Sequence, residues 1–165
     1  MVSARLLNLA TLELETRSRI ALDLGYRRSN LTATDVVLEA TFRLERAAES
    51  SIRQRMDANR KHRAATQPGA VLNAGSVFKN PAGDSAGRLI DAAGLKGFRV
   101  GGASVSDVHA NFFMAEEGAT SQDVFDLVHA VKDVVADRFG IELEPEIRFV
   151  GEFEPYRGAS ARRES

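Results

Sequence analysis

The sequence predicts an α+β fold: a small antiparallel sheet packed with helices, preceded by a few short strands. Three observations carry this. Short alternating or β-branched stretches fill the chain before residue 45, strands and helices alternate with long connections over residues 70–153, and one strongly amphipathic helix lies near the end.

The elements follow in chain order. Leu12-Glu13-Leu14-Glu15 alternates apolar and charged residues, the period of a half-buried strand. Val36 to Leu44 is β-branched and aromatic and alternates in its second half. Between them, Gly25 to Asn30 is polar and turn-like. Two or three strands make a poor free-standing unit, and a sheet this small needs further strands or a helix to cover it. Residues 47–65 read as a helix with a thin apolar stripe, Ile52 and Met56. Arg53, Arg55, Arg60, Lys61 and Arg63 make it basic, which predicts a solvated face or, alternatively, an end placed beside an anionic ligand. Pro68 and Gly69 break it.

From Gly69 the texture changes. Asp84 or Ser85 can cap a short helix through Arg88, Leu89 and Ile90, stopped by Gly94. Phe98 to Gly102 and Ala110 to Ala115 read as strands. Residues 121–139 form the clearest helix. Thr120 and Asp123 make a capping-box pattern, and Val124, Leu127, Val128, Val131, Val134, Val135 and Phe139 share one face, with Gly140 as the stop. A last strand is expected over Glu146 to Phe153, followed by a polar tail over 154–165 expected to be mobile.

Composition narrows the function classes. The 165 residues carry 22 basic and 23 acidic side chains, a formal net charge of −1, so no overall field draws nucleic acid or an anionic membrane. The absence of cysteine excludes disulfides, thiolate metal sites and cysteine nucleophiles. No His/Asp/Glu cluster has metal-ligand spacing, so no metal is expected. The first residues contain no long apolar run, so neither a signal peptide nor a membrane span is read there, and the cytoplasm is the expected location.

The segment Asn73 to Pro81, NAGSVFKNP, is the first with chemical content. Gly75 frees the backbone beside the Ser76 hydroxyl, and Lys79 and Asn80 supply donors. It lacks the spacing of a nucleophile elbow or a P-loop, and by itself it reads as a loop whose serine bonds its own backbone. Three further stretches accompany it: GYRRS (25–29), AGRLIDAAGLKGFRVGGASVSDVHANF (86–112) and LEPEIRFVG (143–151). Together, in this order, the four resemble the flavin-dependent UDP-N-acetylenolpyruvoylglucosamine reductases of bacterial cell-wall synthesis.

That resemblance implies a C-terminal portion lacking the N-terminal FAD-binding region. Residues 1–45 would be the last strands of the FAD domain, 46–142 the substrate-binding domain, and 143–153 a returning strand with a catalytic glutamate. The family reduces an enolpyruvyl ether of UDP-N-acetylglucosamine, with hydride passing from NADPH to FAD and on to the substrate. By resemblance Arg27 grips the substrate carboxylate, Ser76 donates the proton, and Glu146 is the acidic partner, plausible as a protonated acid beside that carboxylate. Glu144, two residues earlier and on the same face of the expected strand, is its rival. Tyr26, Arg63, Asn80, Lys96 and His109 are the corresponding substrate contacts, whereas His62 and His129 read as surface residues. No cofactor-binding residue is identified, because no glycine-rich strand-to-helix phosphate site occurs in the sequence. The expected chain is therefore an acid set without a hydride carrier, dependent on the missing FAD domain. Two other functions compete: a non-catalytic nucleotide-sugar binding module using Asn80, Lys96 and His109, and nucleic-acid binding through the basic helix, which the near-zero charge opposes.

Overall fold

A computed structural model describes residues 1–69 and 72–158; the expected tail lies outside the described residues from position 159 onward. The α+β expectation holds. Among the described residues there are two antiparallel sheets and three helices, arranged in two compact units, Met1–Gln54 and Arg55–Ser165.

The first unit is a three-stranded sheet of β1 (Ser3–Asn8), β2 (Leu14–Ser18) and β3 (Asp35–Thr41), in the order β2-β1-β3. Ala4 and Leu6 alternate onto one face of β1 and, with Leu22, form a small core against Met1 and Leu31. The expected strand at 12–15 begins two residues late. Leu12 sits in a turn at φ 60°, tied to Asn8, whose side-chain oxygen accepts the amides of Ala10 and Thr11. The strand expected to reach Leu44 stops at Thr41, because its partner runs out: Thr41 pairs with Ser3. β1 itself was not legible as a strand; its two adjacent leucines blur the alternation.

Helix α1 (Glu49–Thr66) buries no side chain, as a solvated face predicts, and Ile52 and Met56 are exposed. Its first turn is held by an ion pair from Arg53 to Glu49 at 2.6 Å, spaced i,i+4.

The second unit holds the larger core. β4 (Asn73–Ser76), β5 (Arg99–Val100), β6 (Ala103–Val105) and β7 (Phe112–Ala115) form an antiparallel sheet in the order β4-β7-β6-β5. The strand expected over 98–102 is instead a hairpin: Gly101, at φ 54°, and Gly102 turn the chain so that Val100 pairs with Ala103. Helix α2 (Ala86–Ala92) is capped by Ser85, whose side chain accepts the Arg88 amide. Helix α3 (Ser121–Phe139) carries the full capping box of Thr120 and Asp123 and ends at Gly140 with φ 66°. Leu127, Val128, Val131 and Val135 bury against Leu89, Ile90, Val105 and Phe113, while Phe139 at the last turn is 36% exposed and falls outside the core. Phe78 stands edge-on to Phe113 at 5.9 Å.

Two expectations fail after α3. Residues 146–153 form no strand. Among the described residues after α3 one bridge forms, Phe78 with Pro145, and proline has no N–H with which to extend a ladder. The chain packs instead by side chains. Gln122 donates to the Glu154 carbonyl at 3.2 Å and accepts its amide at 3.0 Å, and Phe149 and Phe153 lie against Phe125 at 5.0 and 4.9 Å. His129 is consequently not a surface residue: its ring is half-buried, stacked with Tyr156 at 5.4 Å. Among the described residues, no helix is long and apolar enough to cross a membrane.

Candidate functional site

Ser76 ends β4, opposite Phe112 on β7, and is half-buried. The positive φ of Gly75 (77°), a conformation that disfavours a side chain, lets the strand turn immediately before it. Past Ser76 the chain runs between two neighbours. On one side Val77 N–H donates to the Asn111 carbonyl at 2.9 Å; on the other the Val77 carbonyl accepts the Glu146 amide at 2.7 Å. Lys79 N–H donates to the Glu144 carbonyl at 2.9 Å, and the Lys79 ammonium pairs with the Glu144 carboxylate. Glu146 is half-buried next to the peptide that follows Ser76.

The same region gathers two predicted substrate contacts. Asn80 accepts the Ala86 amide at 3.1 Å, so it fixes the entry to α2. His109 lies over that entry: a Cβ on Gly87 would come within 3.1 Å of its Cε1, so only a residue without a side chain lets the ring approach. Asn111 N–H donates to His109 Nδ1 at 3.2 Å, which leaves Nε2 to carry the proton of the neutral ring. Within this unit the segment bearing Ser76 is thus bonded to Asn111, which holds His109, and to the Glu146 amide, while Asn80 holds the start of α2.

Of the remaining predicted residues, Arg63 and Lys96 belong to the second unit and Tyr26 and Arg27 to the first. Lys96 pairs with Asp91 at 2.8 Å on the surface, and Arg63 lies exposed in the last turn of α1. Tyr26 and Arg27 occupy the middle of a tight turn closed by Gly25 and Arg28, whose backbones exchange bonds of 2.9 and 3.3 Å. Arg27 has φ 52°, unusual for a side-chain-bearing residue, and its guanidinium carbon lies 5.7 Å from the Tyr26 ring centre.

Beside the site, Arg88 grips Asp84 through its guanidinium. That bond, with the Ser85 amide, pulls the Asp84 carboxyl down to about 2. A cleft of about 420 Å³ opens in the same unit among Pro68, Gly97, Arg99, Ser104, Asp107 and Met114, and none of the predicted site residues lines it. Among the described residues, no group of three or more His, Cys, Asp or Glu side chains could hold a metal ion.

Sequence reasoning missed Asn111. It is a buried polar residue in the apolar run Ala110-Asn111-Phe112-Phe113, and a polar side chain in such a run was the available signal.

Residues 67–150, just over half of the chain, match the family described as UDP-N-acetylenolpyruvoylglucosamine reductase, C-terminal domain. The chain belongs to the UDP-N-acetylenolpyruvoylglucosamine reductase family. It is 46% identical over 140 residues to the UDP-N-acetylenolpyruvoylglucosamine reductase of Geobacter metallireducens, covering 85% of this chain and 47% of the relative. It is 45% identical over 141 residues to that of Pediococcus pentosaceus, again 85% and 47%. The crystal structure of UDP-N-acetylenolpyruvylglucosamine reductase (MurB) from Thermus caldophilus aligns with a TM-score of 0.74 at 33% identity, covering 93% of this chain and 52% of that one. The chain spans about half the length of the reductases it matches.

A flavin needs a cradle for its pyrophosphate, commonly a glycine-rich turn leading from a strand into a helix. The described residues do not fit that need. The segment from Phe42 to Ala48, between β3 and α1, has no glycine. At α2 the Ala86 amide is taken by Asn80 and the Arg88 amide by Ser85; at α3 the Asp123 amide is taken by Thr120.

Proposed function

We propose that this chain supplies the substrate side of a UDP-N-acetylenolpyruvoylglucosamine reductase acting in the cytoplasm in peptidoglycan synthesis, and that it works only with a flavin-holding portion outside the described residues. FAD, reduced by NADPH, would supply the hydride there. The observation that carries the proposal is the bond from the Glu146 amide to the carbonyl of Val77, which sets the acid candidate beside the residue following Ser76. Reduction of an enolpyruvyl ether leaves negative charge on the carbon next to a carboxylate, so the protein must offset that charge and return a proton. Arg27, with a planar fork of donors, suits the carboxylate. Ser76 suits the proton: a hydroxyl is a weak acid in water, but a carbanion is a far stronger base than the alkoxide left behind. Glu146 suits the role of the acidic partner beside the enolate. Tyr26, Arg63, Asn80, Lys96 and His109 would hold the diphosphate and sugar, with the Nε2 proton of His109 offered to an oxygen. Neither nucleic acid nor a membrane is needed as a partner.

The test uses Ser76→Ala in the reductase assembled with its flavin-holding portion. We expect kcat to fall by about 10²-fold or more while the UDP-sugar still binds. Unchanged turnover, together with weakened binding in Asn80→Ala and Lys96→Ala, would instead make the chain a non-catalytic nucleotide-sugar module. Purified alone, the 165-residue chain should show no flavin absorbance and no NADPH oxidation when the enolpyruvyl substrate is added.

A further inference from the structure

We propose that Asn111 is a positioning residue whose buried amide fixes the register in which Ser76 and Glu146 meet a substrate. Asn111 is 4% exposed, and its side chain acts as a two-way clamp on a single residue of the serine loop. Its Oδ1 accepts the Phe78 amide at 2.9 Å and its Nδ2 donates to the Phe78 carbonyl at 2.8 Å. Its backbone extends the clamp in both directions: the carbonyl takes the Val77 amide, and the N–H holds His109 by Nδ1. Phe78 is also the residue that bridges to Pro145, with Glu144 and Glu146 bonded on either side of it. Asn111 therefore holds one side of the segment bearing Ser76, together with the ring of His109, while the segment bearing Glu146 bonds the other side.

Sheet pairing alone would not hold this register. β4 slips against β7 between Asn73 and Ser76, and Pro145 limits the opposite side to one bridge. A backbone with irregular pairing on both edges is free to slide unless something pins it, and a side-chain amide that satisfies both N–H and C=O of one residue does so. Burial makes the pin stringent, since a lost partner leaves an unsatisfied group away from water. The proposal rests on the functional reading of Ser76 and Glu146, but its first readout does not.

Amide hydrogen exchange on the full chain tests it in Asn111→Asp, which keeps the acceptor but cannot donate to the Phe78 carbonyl, and in Asn111→Leu, which keeps the volume and loses both bonds. The Glu146 amide, which Asn111 does not touch, should exchange about tenfold faster or more, while the Val128 and Val131 amides of α3 keep their rates. An unmoved Glu146 amide, or α3 amides that speed up in step with it, overturns the proposal. If neither variant folds, native-state exchange of the unmodified chain decides. Phe78 and Glu146 should open with one common denaturant dependence, and independent opening overturns the linkage. In the assembled reductase, Asn111→Asp should lower kcat about tenfold with KM within about threefold, the size of one lost buried bond. If Ser76→Ala and Glu146→Gln leave turnover intact, the functional reading fails while the exchange result stands. If they abolish turnover and Asn111→Asp leaves kcat unchanged, the positioning role alone fails.

Discussion

At the scale of single residues, Arg27 combines exposure with backbone strain. A non-glycine residue at φ 52° in the turn after Tyr26 costs on the order of 1 kcal/mol, which glycine would not incur. Arg27→Gly should therefore have a urea midpoint above that of Arg27→Ala, which loses the same guanidinium, by an amount equivalent to about 1 kcal/mol. An equal or lower midpoint would mean the turn is not strained. Asp84 gives a pH prediction. Its carboxyl is held at about 2 instead of the usual 3.8, chiefly by the Arg88 guanidinium. A depressed acid stabilises the fold above its unfolded value, and that contribution is lost as pH falls from about 3.8 through about 2. Thermal midpoints of the wild type should drop across that window more steeply than those of Asp84→Asn; parallel curves would refute it. The residues of the serine loop, the arginine turn and the LEPEIRF segment were legible because short motifs carry them. Asn111 was not, since its importance comes from what it touches across the fold.

At the scale of elements, α3 was read from sequence to the residue, because cap, apolar stripe and stop agree there: Thr120 with Asp123, the valine face, and Gly140. The hairpin β5–β6 was read as one strand ending in flexible glycines. In fact the two glycines are packed. A Cβ on Gly102 would lie 2.7 Å from the Cα of Ala119, just ahead of α3, and its amide donates to Asp123 in the first turn of that helix at 3.3 Å. Gly102→Ala should therefore destabilise the chain by about 1–3 kcal/mol, the usual cost of overpacking against backbone; a denaturant titration showing less than about 0.5 kcal/mol would contradict it. The missing strand at 146–153 was illegible for a related reason. Alternating apolar residues mark a segment with one buried face, and the helix α3 with its aromatic side chains supplied that face in place of a neighbouring strand.

At the scale of the whole molecule, the α+β class could be read from the pattern of elements, but the division between Gln54 and Arg55 could not. It falls inside α1, a helix whose sequence runs on through the boundary with no change of texture. What joins the acid candidate to the serine loop has a further consequence for how the protein is made. Val77 lies early in its unit and Glu146 near the end of it, so their bond closes a loop containing both helices α2 and α3 and the rest of the sheet. During synthesis the ribosome must deliver all of that chain before the two can meet, and a contact so remote along the chain forms slowly. A nascent polypeptide released short of Glu146 would own a serine loop paired with β7 and Asn111 along one side and open along the other.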